Sequence, residues 1–349
     1  MAFALRSLFV AVLAVAIASL PACNRSSGKP QVAVVTNCIA NFWVICEAGA
    51  RKAATEKDVE LNFRMPEKME VSSQRPILDA MLKQGAAGLA VSVIDPKEQT
   101  PDLKRYSAQV PLITMDNDAD QSGRLCYVGI DNYEAGKAVG RLVKKAMPDG
   151  GTVALFIGST SSANAQGRIS GVLDELAGEK GAKGPQLGKY TYFLGEPKTD
   201  GGNETEAQKN ARAVLKDPAI KGRSDVCLIG LYAYNPAQIL LAVRGDDEAR
   251  GKVKIAGFDE DSITLDGIAK GEVLGTVVQD PFQYGYRSVS ILADRARGLN
   301  TPLPTDAIPY RVVTKDGGPD EVVNGTTVKN IPVADFAKKL KEDLDSVKK

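Results

Sequence analysis

No histidine occurs anywhere in the 349 residues. That absence removes Ser-His and Cys-His dyads and every metal site built on an imidazole ligand. Charge of neither sign is in excess. The 44 Lys and Arg against 43 Asp and Glu give a net +1, which calls for neither nucleic acid nor an acidic membrane surface. Phosphate-binding fingerprints are missing as well: neither Thr36 to Trp43 nor Gly158 to Asn164 contains G-x-G-x-x-G or a P-loop lysine. An enzyme using only carboxylates or lysines stays open, and no catalytic residue, cofactor or metal ligand is assigned. Tryptophan occurs once, as Trp43.

The amino terminus has the build of an export signal. Arg6 supplies the positive start, and Leu8 to Leu20 is an apolar run of 13 residues, too short to span a bilayer but sized for a signal-peptide core. It ends in Leu20-Pro21-Ala22-Cys23, which resembles a bacterial lipoprotein box with Cys23 as the lipid attachment point. Plain cleavage near Ala22 is the alternative, since Pro21 is unusual there. Residues 1–23 are thus set apart as signal and 24–30 as a polar tether, with membrane contact only through that anchor. Export would place Cys38, Cys46, Cys126 and Cys227 in an oxidising compartment, where four thiols allow three pairings; their apolar surroundings favour buried free thiols. Sequons begin at Asn24, Asn203 and Asn324 and read as chance.

From Val32 the pattern alternates between strand and helix. Val32 to Val35 is a β-branched run that stops at Thr36-Asn37 and leads into a helix opened by Phe42 and Trp43. Apolar strands recur near Val59–Arg64, Leu89–Ile94 and Val110–Met115, the last ending at Asp116. The order then restarts at Gly151 to Ser159 and continues through Tyr190–Leu194, Val226–Leu231 and Val253–Phe258, which ends at Asp259. This predicts an α/β fold of two similar doubly wound parallel-sheet lobes joined by a multi-strand hinge. The amino-terminal lobe is expected to comprise 31–130 plus 280–313, and the carboxyl-terminal lobe 131–279. A tail, 314–349, carries Val333, Phe336, Leu340, Leu344 and Val347 at helical spacing, a stripe read as docking on a lobe rather than on a partner. In such sheets ligands sit beyond the carboxyl ends of the strands, so Thr36 to Trp43 is the first candidate wall of a site.

The signal, the two-lobe order, the strand ends at Asp116, Gly257-Phe258-Asp259 and Gln279-Asp280-Pro281, and the helix start Arg168-Ile169-Ser170-Gly171-Val172 together resemble the type I periplasmic sugar-binding proteins. The ribose-binding branch that serves ABC importers is the nearest likeness, over about Gln31 to Val313. Repressors of the lactose-operon class share the fold but carry a basic helix-turn-helix where this chain has its signal.

The resemblance implies an exported monomer at the periplasmic or extracellular face that captures a monosaccharide, a ribose-like pentose or related sugar, by hinge closure and presents it to an ABC permease. The alternative is a sugar or autoinducer sensor facing a chemoreceptor or kinase. It further implies that Phe42 and Trp43 sandwich the sugar ring, that Asp116, Arg168 and Asp259 bind hydroxyls, and that Gln279 stands beside the hinge. Asn117 occupies a position where close ribose binders carry arginine. Tyr232 or Asn235 is expected to reach the ligand, and Thr36, Asn41 and Asp200 are register-dependent contacts. The plainer readings are a core role for Phe42, a surface charge for Arg168 and a helix cap for Asp259.

Overall fold

The computed structural model describes residues 28–345. The signal segment, Cys23, residues 24–27 of the tether and Val347 lie outside the described residues. The chain runs β1 (Gln31–Val35), α1 (Asn41–Glu56), β2 (Glu60–Arg64), α2 (Val71–Lys83), β3 (Leu89–Val91), α3 (Pro96–Ser107), β4 (Leu112–Met115) and β5 (Tyr127–Val128). These five strands form one wholly parallel sheet in the order β2-β1-β3-β4-β5. The period of two along β1 explains why helices cover both faces. Val32 and Val34 join the core beneath α1, while Ala33 and Val35 join Leu78, Met81 and Leu103 of α2 and α3.

The second lobe begins with α4 (Asn132–Ala146), β6 (Gly151–Ile157), α5 (Ala163–Ala177), β7 (Gln186–Leu187), β8 (Tyr190–Tyr192), β9 (Lys198–Thr199) and α6 (Glu204–Lys216). It continues through β10 (Val226–Gly230), α7 (Asn235–Arg244), β11 (Lys254–Phe258), α8 (Ser262–Lys270) and β12 (Gly275–Val278). Then α9 (Pro281–Ala296) returns to the first lobe and packs on α1, β1 and β4. The remaining elements are β13 (Arg311–Thr314), β14 (Glu321–Val323), β15 (Thr326–Pro332) and α10 (Val333–Asp345).

Two expectations are corrected here. Residues 308–313 were assigned to the first lobe, but β13 lies antiparallel to β12, with Val278 opposite Arg311, and so belongs to the second sheet. That sheet runs β14-β15-β13-β12-β11-β10-β6-β8-β7, with β9 also on β6. Nor is the tail only a helix: β14 and β15 form a hairpin across Asn324-Gly325, where both residues take positive φ (50° and 79°). A two-residue Asn-Gly turn between Val-rich runs is the strongest short hairpin signal a sequence carries. The same turn gives the Asn324 sequon a structural use, as Asn203 caps α6 by accepting from the Glu206 N–H at 3.0 Å. The helix α10 docks on the second lobe through buried Val333 and Phe336.

Three crossings join the lobes: 129–131, 279–280 and 297–310. The first and third are tied together by the Ile308 N–H, which donates to the Gly129 carbonyl at 2.8 Å. Each lobe also crosses its inner helix pair on glycines. A Cβ on Gly285 of α9 would stand 2.0 Å from the Cys46 carbonyl oxygen of α1, and one on Gly171 of α5 would stand 2.1 Å from the Tyr133 carbonyl oxygen of α4. Gly285→Ala is therefore expected to force α1 and α9 apart at a cost of about 1–3 kcal/mol, read as a thermal midpoint lowered by several degrees. An unchanged midpoint would refute this close packing. Cys38, Cys46, Cys126 and Cys227 are all free thiols, and Cys46, Cys126 and Cys227 are buried.

Candidate functional site

Both sheets end, at the interlobe face, on an aspartate held in the left-handed region. Asp116 follows β4 with φ 61° and Asp259 follows β11 with φ 64°, conformations that a residue with a Cβ adopts only when its surroundings impose them. The impositions match. The Asp116 N–H donates to the Val128 carbonyl (3.0 Å), and its own carbonyl accepts from the Tyr127 hydroxyl (2.8 Å). The Asp259 N–H donates to the Val277 carbonyl (2.8 Å), and its carbonyl accepts from the Thr276 hydroxyl (2.8 Å). Each carboxylate thus stands at the end of its sheet, one per lobe, aimed across the cleft.

Between them lies Arg168. It is buried to 2 % exposure, so it is no surface charge. Its Nε donates to Asn132 Oδ1 and its Nη1 to the Leu231 carbonyl, both at 2.9 Å, and its guanidinium plane covers the Phe258 ring at 3.8 Å. Nη2 has no partner and is buried. The guanidinium stops 4.0 Å short of Asp116 Oδ1 and 4.0 Å short of Asp259 Oδ2, too far for a hydrogen bond. Each carboxylate anchors its other oxygen instead. Ser92 Oγ donates to Asp116 Oδ2 at 3.2 Å, and Gln279 Nε2 donates to Asp259 Oδ1 at 2.8 Å. The Tyr284 hydroxyl orients Gln279 by donating to its Oε1 at 2.9 Å. Asp259 is no helix cap, since Asp261 caps α8.

Burial is the dominant electrostatic fact. It pushes the Asp116 carboxyl up to about 6, against which Arg168 pulls down and Asp259 pushes further up. Asp259 is raised for the same reason, burial outweighing the pull of Arg168. The Tyr232 hydroxyl is likewise pushed up to about 12 by burial, so it stays protonated.

Phe42, Trp43, Asp116, Arg168, Tyr232, Asp259 and Gln279 line one small cavity of about 60 Å³. Phe42 and Trp43 meet edge to face, centroids 4.9 Å apart and planes at 89°, so no ring fits between them. They form a single apolar wall, with Trp43 Nε1 fixed by donating to Asn37 Oδ1 at 3.0 Å. The expected sandwich is corrected accordingly; Tyr232 and Tyr234 also line the cavity, themselves edge to face with centroids 6.4 Å apart and planes at 83°.

Other expected residues do not line this cavity. Asn235 is fully buried and its side chain bonds within the protein: its Oδ1 accepts from the Tyr232 N–H at 3.1 Å and its Nδ2 donates to Asp200 Oδ2 at 2.8 Å. Asp200 also accepts from the Tyr234 hydroxyl and the Gly202 N–H, so its oxygens shape a loop. Thr36 turns its hydroxyl to the Cys38 carbonyl at 2.9 Å. Asn41 is exposed and borders only the outer mouth, with Glu204, Glu260 and Asp261. Asn117 is spent on the protein: its amide donates to the Val93 carbonyl, and its Oδ1 accepts from the Asn164 N–H across the cleft at 3.0 Å. The lobes therefore touch here.

Asn37, inside the expected wall from Thr36 to Trp43, lines the cavity, and so do Met69, Asn164 and Tyr234, which were not expected there. Asn164 carried a usable signal, since it stands four residues before Arg168 on α5 and therefore on the same helical face.

A family model described as a periplasmic binding protein domain matches residues 32–300. Similar curated proteins include a D-ribose/D-allose-binding protein of Pseudomonas aeruginosa, 28% identical over 72% of this chain and 77% of that protein. The ribose import binding protein RbsB of Haemophilus influenzae is 23% identical over 82% and 91%. Among solved structures, GanP, a glucose-galactose binding protein from Geobacillus stearothermophilus, superposes with a TM-score of 0.72 at 26% identity, covering 82% of this chain and 97% of its own. An ABC transporter solute binding protein from Burkholderia graminis, in complex with D-arabinose, has the same fold, with a TM-score of 0.74 at 24% identity over 84% and 97%.

Proposed function

This chain belongs to the periplasmic binding protein family, and on that premise we propose that it captures one monosaccharide, a pentose or related aldose, between its lobes and delivers it to an ABC importer. One observation carries the reading. The buried Arg168 guanidinium stands between two carboxylates, one from each lobe: its unpartnered Nη2 is 4.0 Å from Asp116 Oδ1, and its Nη1, which donates to the Leu231 carbonyl, is 4.0 Å from Asp259 Oδ2. Donors and acceptors so spaced suit vicinal hydroxyls, which accept from Arg168 and donate to Asp116 and Asp259, while the Phe42 and Trp43 wall takes the C–H face of a ring. Relatives named for ribose, allose, xylose and arabinose support the same class.

Closure follows from the division of contacts. A ligand that needs Asp116 from one lobe and Arg168 with Asp259 from the other gains all its bonds only when the lobes meet, so it favours the closed shape that a permease would recognise. Residues 1–23 act as the export signal in this reading, with Cys23 as a lipid anchor that holds a monomeric binder beside the membrane.

A thermal-shift screen of the chain from residue 24 on, against pentoses, hexoses, polyols and nucleosides, tests the assignment. A sugar present at a hundred times its dissociation constant is expected to add about 2.7 kcal/mol, a shift of several degrees. Small-angle scattering with that sugar should show compaction. A shift produced only by nucleosides would overturn the substrate class, and the absence of compaction on saturation would overturn closure.

A further inference from the structure

The family match stops at residue 300, yet the segment beyond it reaches the interlobe crossing at Gln279 and Asp280. Arg311, the first residue of β13, lies opposite Val278, one residue before Gln279. Its Nη2 donates to the Gln279 carbonyl, and its guanidinium stands 3.8 Å from Asp280 Oδ2. Those two residues are the second crossing between the lobes. Gln279 in turn holds Asp259 through its side-chain amide at 2.8 Å, and Asp280 caps α9 by accepting from the Gln283 N–H at 3.1 Å. One cation therefore grips the backbone and the carboxylate of the hinge from the second-lobe side.

What steadies that cation comes from the tail. The Phe336 ring of α10 lies under the Arg311 guanidinium at 5.4 Å, and Phe336 is buried to 5 % exposure in the second-lobe core. The ring limits where the guanidinium can point, and it covers the arginine from water. The surroundings are acidic: Glu260 has a buried oxygen without a partner near Asp259 and Asp280, and burial raises its carboxyl well above the usual range while Arg311 opposes that rise. Removing Arg311 would leave Glu260 and Asp280 at the crossing without this cation.

We propose that the carboxyl-terminal segment 311–345 is a brace on the hinge: Phe336 seats Arg311, Arg311 fixes Gln279 and Asp280, and Gln279 thereby holds Asp259 in its binding position. Arg311 is a positioning residue: it does not line the cavity but bonds to Gln279, which does. The segment sets how readily the lobes open without touching the ligand, and its role in binding rests on the closure reading above. The test needs no ligand, so its failure and that of the sugar assignment are distinguishable.

Small-angle scattering of the ligand-free full chain is compared for the unmodified protein, Arg311→Met, Arg311→Lys and Phe336→Leu. Hydrogen exchange is followed in parallel at residues 279–284. Arg311→Met is expected to raise the radius of gyration and speed exchange at the crossing, and Arg311→Lys to restore part of both by keeping the charge. Phe336→Leu keeps the buried side chain apolar and of similar size but removes the ring, and it should move both readouts in the same direction as Arg311→Met. A folded Arg311→Met with unchanged radius and exchange overturns the brace. Should Arg311→Met fail to fold, unchanged readouts in Phe336→Leu overturn it instead.

Discussion

Replacing Arg168 by methionine is expected to weaken sugar binding more than a hundredfold, to the edge of detection by titration calorimetry. Two losses combine. The ligand loses a charge-assisted donor, worth on the order of 1.5–3 kcal/mol. Asp116 and Asp259, both buried and both turned toward the guanidinium at 4.0 Å, lose the cation between them. Breaking a buried ion pair from one side costs about 3–5 kcal/mol, since the remaining charge stays in a poorly solvating site. The carboxyls then relieve their repulsion by taking up protons, which withdraws acceptors that the sugar needs. This gives the variant a second signature. With carboxyl groups raised further above their unfolded values, the folded state holds protons that the unfolded state has released, so Arg168→Met should melt higher at pH 5 than at pH 7.5. Arg168→Lys retains a charge but not the fork, and should fall between the two. Affinity within threefold of the unmodified protein in a folded Arg168→Met would remove Arg168 from the site.

The sequence announced this arrangement unevenly, and the reasons are physical. Strand-end aspartates could be found because an apolar β-branched run must stop where its sheet stops, and a ligand-facing carboxylate sits at that boundary. The strand-end positions of Asp116 and Asp259 were legible on that ground, while their binding roles came from family likeness. Arg168 was legible only through family likeness, because burial of a helical arginine depends on Asn132, Leu231 and Phe258, which arrive from three other elements. Of the polar residues that do not line the cavity, Asn117 and Asp200 sit in loops. Both stand beside the cleft, but whether such a side chain faces a ligand or its own backbone is decided by one or two torsion angles that periodicity does not encode. The lobe assignment of β13 failed for a topological reason. The expected bounds change lobe only at 130/131 and 279/280, which leaves the strand in the first lobe, whereas a third crossing and antiparallel pairing with β12 return it to the second, where it can carry Arg311 to the hinge.

Acid should separate ligand affinity from stability. Asp116 titrates near 6 in the folded protein because burial disfavours its charge, and Asp259 is raised by the same cause. Unfolded aspartate releases its proton near 3.8. Between those values the folded state holds protons that the unfolded chain has lost, so the contribution of these groups to stability grows as pH falls through 6 toward 4 and is lost as pH rises above 6. Sugar affinity should move in the opposite direction. Hydroxyl donors need the ionised oxygens that face Arg168, and a protonated carboxyl accepts less strongly and competes as a donor. Affinity is thus expected to be flat from pH 8 to 7 and then to fall below 6, by up to about tenfold per pH unit for each carboxylate the ligand requires. Asp116→Asn keeps the shape and removes the titration. It should bind more weakly at neutral pH and show a shallower acid limb, which assigns part of the slope to that residue. Calorimetric titration at half-unit intervals from pH 8 to 4.5 reads both limbs. An affinity that stays constant down to pH 5 would mean that the ligand does not bond to these carboxylates in their charged form, and the proposed polarity of the site would have to be reversed.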